Sequence, residues 1–188
     1  MWMRSPTERL LLHICCAPCA TVPIKRLEER GFEVVGFFYN PNIQPPSEYK
    51  LRMEQLNKLD IQVIYGEYEP WRWFQLTRGY YDEPEGGKRC AICIRMRLEQ
   101  TAFMAKKLGI EYFTTTLTVS PYKNADMINA IGYELGTTYG INFLQENFKK
   151  RDGYKESIRI AKELNLYRQH YCGCIFSKRR KKVKSDRH

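Results

Sequence analysis

The sequence predicts an α/β domain: a mostly parallel sheet of about five strands with helices on both faces. Three observations predict it. Short runs rich in aliphatic, β-branched and aromatic residues alternate with helix-like stretches of ten residues or more. The first run, Leu10–Ile14, is apolar almost throughout, as in a strand covered on both sides. Chain breakers fall between the runs, at Gly31, at Asn40–Pro46 and at Ser120-Pro121.

The elements follow in order. Leu10–Ile14 is a first strand, broken at Cys15-Cys16-Ala17-Pro18-Cys19. Thr21–Arg30 is a helix stopped by Gly31. Glu33–Tyr39 is a second strand, and the prolines of Asn40–Pro46 make a loop. Ser47 caps a helix running to about Leu59. Ile61–Tyr65 is a third strand. Pro70–Phe74 is a short helix and Asp82–Lys88 a loop. Cys90–Leu108 is a long helix ending at Gly109. Glu111–Leu117 is a fourth strand, loaded with β-branched and aromatic residues. A helix from about Asn124 to Glu134, a short fifth strand at Asn142–Leu144 and a helix at Gly153–Leu164 complete the pattern. Residues 1–177 read as one domain and 178–188 as a basic tail.

Composition narrows the function classes. Hydrophobic residues are 43% and charged residues 28%, enough apolar surface for a core and against a disordered chain. No apolar run approaches the roughly 20 residues that span a bilayer, so a membrane partner is not expected. The net charge is +10, and Lys178–His188 holds seven basic residues against one acidic. That favours a polyanion, nucleic acid first. A merely solvated tail is the competing reading. The N-terminal run does not read as an export signal: Glu8 opens it, His13 and Pro18 interrupt it, and cysteines crowd its end. The expected compartment is therefore the reducing cytoplasm, where seven cysteines are metal ligands or redox thiols rather than a disulfide framework.

The fold class places these cysteines. Open α/β sheets bind ligands at the carboxyl ends of the strands, near the switch in strand order. Cys15, Cys16 and Cys19 follow the first strand, Asn40–Asn42 the second and Thr118–Lys123 the fourth, so all three loops open on one rim. The second cysteine group, Cys90-x-x-Cys93, stands at a helix start, where the positive helix end favours thiolate. The third is Cys172-Gly173-Cys174. CCxxC at a strand end together with CxxC at a helix start points to zinc or an iron–sulfur cluster, and spacing alone leaves both open. The Cys-Gly-Cys pair favours redox chemistry, because a dithiol exchanges two electrons.

The motifs LHICCAPC (12–19), YNPNIQP (39–45), KRCAICIRMRLEQTA (88–102), FTTTLTVSPYKN (113–124) and GYKESIRIAKELNLYRQHYCGC (153–174) resemble the cobalamin-independent epoxyqueuosine reductase family. The resemblance spans nearly the whole chain. It implies an adenine-nucleotide-hydrolase-like (HUP-like) sheet. It also implies reduction of epoxyqueuosine to queuosine at the tRNA wobble position, with a [4Fe-4S] cluster and an electron donor. By position, Cys15, Cys16, Cys90 and Cys93 resemble the cluster ligands, and Cys172 and Cys174 a redox-active pair. Cys19 is left over, for an additional mononuclear iron, a substrate contact or packing.

The chemistry needs two electrons and two protons to remove one oxygen as water. His13, Asp126, His170 and Tyr171 are candidate proton donors; for His13 the competing reading is a buried strand histidine bonded to backbone. Single-stranded RNA is read by aromatic stacking with Arg and Lys on phosphates. Candidates are Tyr39, Asn40, Asn42, Tyr49, Arg52 and Lys123, with Lys149, Lys150 and Arg151 and the tail on the tRNA stem. Trp71 and Trp73 read as core. The alternative is a zinc-stabilised RNA-binding module without catalysis. An ATP-dependent tRNA thiolation enzyme would want a Gly/Ser-rich phosphate loop where this chain has CCAPC.

Overall fold

A computed structural model describes residues 8–178. The basic tail expected at 178–188 lies outside the described residues except for Lys178. The chain runs β1 (Arg9–His13), α1 (Ala17–Glu28), β2 (Glu33–Phe38), α2 (Pro46–Glu54), β3 (Val63–Tyr65), α3 (Pro70–Leu76), α4 (Lys88–Lys107), β4 (Tyr112–Thr115), α5 (Ala125–Tyr139), β5 (Asn142–Phe143), α6 (Gly153–Glu163) and α7 (Ile175–Lys178). All strand pairs are parallel, in the order β3-β2-β1-β4-β5. Among the described residues, no helix is long and apolar enough to cross a membrane.

β1 is the central strand, and its sequence explains why. Leu10, Leu11, Leu12 and His13 are all fully buried. The period-2 geometry of a strand sends Leu10 and Leu12 to one face and Leu11 to the other. On the first face they pack with Ala17, Ala20 and Leu27 of α1, Tyr49 of α2 and Ala161 of α6. On the second, Leu11, Val35 and Phe113 pack with Leu98, Ala102 and Ala105 of α4 and Ile128 and Leu135 of α5. Leu11 stands in register with Val35 and Phe113 across the two neighbouring strands. Gly36 gives β2 its closest approach to Ile14: a Cβ there would lie 2.8 Å from Ile14 Cδ1.

After β3 the chain crosses to the other side of β1 to form β4. The switch in strand order thus falls between β1 and β4. Cys15 and Cys16 leave one of these strands and Thr116 leaves the other.

Some boundaries differ from the sequence reading, each for a local reason. α1 starts at Ala17, not Thr21, because Pro18 sits in the first turn, where its missing N–H costs nothing. β4 ends at Thr115, where the Thr115 Oγ1 accepts the Leu117 N–H and folds the next four residues into a 3-10 turn. α2 ends in a similar turn over Gln55–Lys58. α5 continues past Glu134 and stops at Gly140, which is left-handed. Helix α7 is additional.

Candidate metal and redox centre

Cys16 is the N-cap of α1 in extended conformation, and Cys19 is three residues on in its first turn. N-cap and N3 positions face each other across a helix start. Cys15, one residue earlier, closes the group. Their three sulfurs lie within 4.8 Å of one another, with Cys15 and Cys16 Sγ 3.7 Å apart. Two thiolates on one tetrahedral ion, each about 2.3 Å from it, are about 3.8 Å apart. The triad therefore has the spacing of a metal site. Thr116 fixes it from β4: its Oγ1 accepts the Cys15 N–H at 3.1 Å and lies 3.3 Å from the Cys15 sulfur. Gln169 Nε2 donates to Cys16 Sγ at 2.9 Å.

The three thiols are held unequally, with Cys15 the most acidic. Bonds from the Cys16 and Cys19 thiols hold Cys15 well below the usual thiol range, helped by Arg97 and Thr116 against the cost of burial. Burial first, and then the bond to Cys15, push Cys16 up to about 12. Cys19 is raised as well, by its bonds to Cys15 and Cys16 and by burial.

Cys90 and Cys93 lie in the first two turns of α4, whose N-terminus is tied down by Glu83 accepting the Lys88 N–H at 3.1 Å. Cys90 Sγ accepts the Gly86 N–H at 3.2 Å. Cys93 is buried, and burial pushes its thiol up to about 11 against the pull of Arg97. These two thiols line one cavity with Cys172 and Cys174. Cys15 and Cys19 line a second, larger cavity of about 730 Å³. Glu85, Arg97, Lys123, Cys172 and Ser177 border both. Cys90 and Cys93 do not enter the tight triad. A four-iron cluster takes each thiolate at a different iron, so its ligands need not crowd together as they do around one ion.

Lys123 precedes Asn124, which caps α5 by accepting the Met127 N–H. Its Nζ donates to Cys172 Sγ at 3.1 Å and lies 3.7 Å from Glu85. Burial alone would lower its pKa, but the Cys172 and Cys90 sulfurs and Glu85 raise it overall. Arg52 donates to the carbonyls of Tyr171 and Cys172, and Gln44 N donates to the Gly173 carbonyl at 2.9 Å. Gly173 has φ +117, and a Cβ there would meet Ile43 Cγ1 at 2.9 Å and Arg52 Nη1 at 3.2 Å, so only glycine makes this turn. All seven cysteines are free thiols.

Several residues expected at the site sit elsewhere. His13 is fully buried, with Nε2 donating to the Tyr39 carbonyl at 3.3 Å and Nδ1 accepting from Thr115 Oγ1 at 2.8 Å. Burial and Arg97 lower its pKa to about 3, so it is the neutral ring at neutral pH, its one N–H held by the Tyr39 carbonyl. Asp126 is exposed in the first turn of α5 and borders neither cavity. Tyr39, Asn40, Asn42 and Tyr49 are buried and unable to stack on a base from solvent. Tyr39 instead donates to Glu69 at 2.9 Å, Tyr49 stacks on Tyr68, and Asn40 donates to the Ile14 carbonyl at 2.8 Å. Arg52 is 2% exposed and donates to the Tyr171 and Cys172 carbonyls, yet it does border the larger cavity. Lys149 donates to the Lys123 carbonyl; Lys150 and Arg151 are exposed. Trp73 is core but Trp71 is 64% exposed. His170 is exposed on the larger cavity, and Tyr171 lines it while donating to the Gln44 carbonyl.

Sequence reasoning passed over Thr116, Gln169, Glu85 and Arg97. Two signals were available: a run of threonines at the end of a buried strand, and an arginine four residues after Cys93 on the buried stripe of a helix.

The model of the family described as "Epoxyqueuosine reductase QueH" matches residues 10–180. A Thermotoga maritima protein named epoxyqueuosine reductase QueH is 46% identical over 175 residues, covering 89% of this chain and 89% of that one. A Staphylococcus epidermidis protein of the same name is 41% identical over 181 residues, covering 90% of this chain and 76% of that one. Among solved structures, one titled as a predicted subunit of tRNA methyltransferase from Methanocaldococcus jannaschii superposes with TM-score 0.58 at 14% identity, over 83% of this chain and 75% of that one, a likeness of fold alone. With the family match over nearly all of its length, the chain belongs to the epoxyqueuosine reductase QueH family.

Proposed function

We propose that the protein reduces epoxyqueuosine to queuosine at the wobble position of tRNA, in the cytoplasm. The observation that carries this reading is the meeting of three cysteine groups on two adjoining cavities at the β1/β4 switch point, in a member of this family. The donor set fits a thiolate-bound centre: all seven thiols are free, and Arg97 and Lys123 stand beside them to offset negative charge.

Cys15, Cys16, Cys90 and Cys93 would hold a [4Fe-4S] cluster, for which Cys15 and Cys16 would have to part from their 3.7 Å spacing, and Cys19 an additional iron, supplying single electrons and a Lewis acid for the epoxide oxygen. The other steps fall to side chains. Cys172 and Cys174 supply the net equivalents. Two thiols become one disulfide, and their two electrons and two protons turn the epoxide into an alkene and water. An external electron donor then restores the dithiol. Lys123 keeps an ammonium at the Cys172 sulfur.

The substrate nucleotide enters the larger cavity, whose volume is within the range of ligand sites. Tyr122, 79% exposed, borders that cavity with Arg168 and His170. It offers a stacking face beside the Arg168 guanidinium for a splayed base and its phosphates. His170, open to solvent, is the proton relay.

The test is incubation of anaerobically reconstituted protein with epoxyqueuosine-containing tRNA and a strong reductant, followed by nucleoside mass analysis. Loss of one oxygen supports the reading. Colourless protein with stoichiometric zinc and no conversion would leave an RNA-binding module instead.

A further inference from the structure

Arg97 is, among the described residues, a buried cation with no carboxylate partner. It is 2% exposed, four residues after Cys93 and on the same face of α4. Its Nη2 donates to Asn40 Oδ1, a neutral acceptor, at 2.6 Å, and its Nε is buried with no hydrogen-bond partner. Among the described residues it forms no ion pair. The other buried cations nearby are provided for. Arg52 pairs with Glu48 at 2.7 Å. Lys123 has Glu85 at 3.7 Å. Arg89 also lacks a carboxylate partner and has a buried Nε without a hydrogen bond, but it donates to the carbonyls of Tyr80, Tyr81 and Glu83 and lies over the Phe176 ring. Arg97, among the described residues, has Asn40 alone as its acceptor. A guanidinium cannot shed its charge by losing a proton, and burying it unpaired is costly. For Arg97 the fold bears that cost at the wall common to the two thiol cavities.

Asn40 fixes the orientation. Its Nδ2 donates to the Ile14 carbonyl at the end of β1, one residue before Cys15, while its Oδ1 takes the Arg97 bond. The cation is thereby tied to the backbone that presents the first cysteine group and to the helix that presents the second. His13, the other ionisable base in contact with this region, is bonded at both nitrogens, by the Thr115 hydroxyl and the Tyr39 carbonyl.

We propose that Arg97 is the fixed countercharge of the cysteine-held centre. By favouring the more negative, reduced form, it raises the reduction potential. This rests on the cluster reading above. Its role is electrostatic: it holds charge in place and is not a ligand.

The test uses the full chain, reconstituted anaerobically, with redox titration followed by visible and electron paramagnetic resonance spectra. Arg97→Gln removes the charge. It should move the midpoint negative by about 59 mV, a tenfold change in a one-electron equilibrium, at full iron content. Arg97→Lys should recover most of the shift. Asn40→Asp sets a carboxylate against a retained guanidinium and should shift the midpoint the same way, which decides the matter if Arg97→Gln does not fold. Unchanged midpoints in the folded variants overturn the inference. So does an unchanged midpoint with a raised KM for tRNA, which would make Arg97 a phosphate contact. Wild-type protein that takes up no iron overturns the cluster reading and this role together.

Discussion

Arg52 holds the backbone of Cys172 from beneath: its Nη1 donates to the Cys172 carbonyl at 3.1 Å, and its Nη2 to the Tyr171 carbonyl at 3.1 Å. Glu48 fixes the guanidinium through Nε at 2.7 Å. Arg52→Met leaves two carbonyls and a carboxylate short of a partner. It should cost about 3 kcal/mol of stability, read by chemical denaturation. The Cys172 and Cys174 thiols should also alkylate faster in the folded protein. Unchanged denaturation and alkylation would show that the turn holds itself.

Cys172 and Cys174 are separated by one residue, in a turn that only Gly173 can make. Replacing both by Ser should abolish multiple turnover with the natural reductant while leaving tRNA binding intact. Quantifying queuosine against enzyme concentration checks this. Sustained turnover in the double variant would count against a redox pair.

Thr116 joins β4 to the first cysteine group through the Cys15 N–H and the Cys15 sulfur. Thr116→Val keeps the shape and removes the hydroxyl. It should destabilise the fold by about 1–2 kcal/mol and hasten loss of iron to a mild chelator. Metal analysis after timed chelation distinguishes this from a purely structural effect, which would lower stability and leave the loss rate alone.

Tyr49 is buried against Tyr68, and burial raises its pKa to about 12 from a usual value of 10.0. The unfolded chain therefore gives up this proton first. The stabilisation is fully present below pH 10 and is lost as pH rises from about 10 to about 12. Tyr49→Phe should flatten the fall in stability over that window by up to about 1.4 kcal/mol per pH unit. The difference between the two proteins' denaturation curves at pH 9 and pH 11 measures it. Parallel pH profiles would mean that Tyr49 ionises without hindrance in the fold.

The elements that carry strong local signals were readable in advance. Leu10–Ile14 reads as a buried strand because it is an apolar run too short for a helix. The breaks at Gly31, Gly109 and Pro121 are backbone constraints that hold in any fold. The cysteine groups were visible as pairs and triplets for the same local reason. Pro18 misled because one residue type serves both a tight turn and a helix start. The boundary at Thr115 was hidden, since a threonine side chain competes with the sheet only where the sheet happens to end.

By itself the sequence determined the order of strands and helices, the positions of all seven thiols along the chain and the family motifs. It could not determine which polar residues face the solvent. Tyr39, Asn40 and Asn42 look like substrate contacts in a loop, yet packing buries them, and Arg52, on the wall of the larger cavity, spends its guanidinium on Glu48 and two backbone carbonyls. Arg97 looks like an ordinary charge on a long helix, yet it stands unpaired on the wall between two cavities. Burial and electrostatics depend on residues distant in sequence that meet only when the sheet is assembled, and so tertiary structure alone decided them.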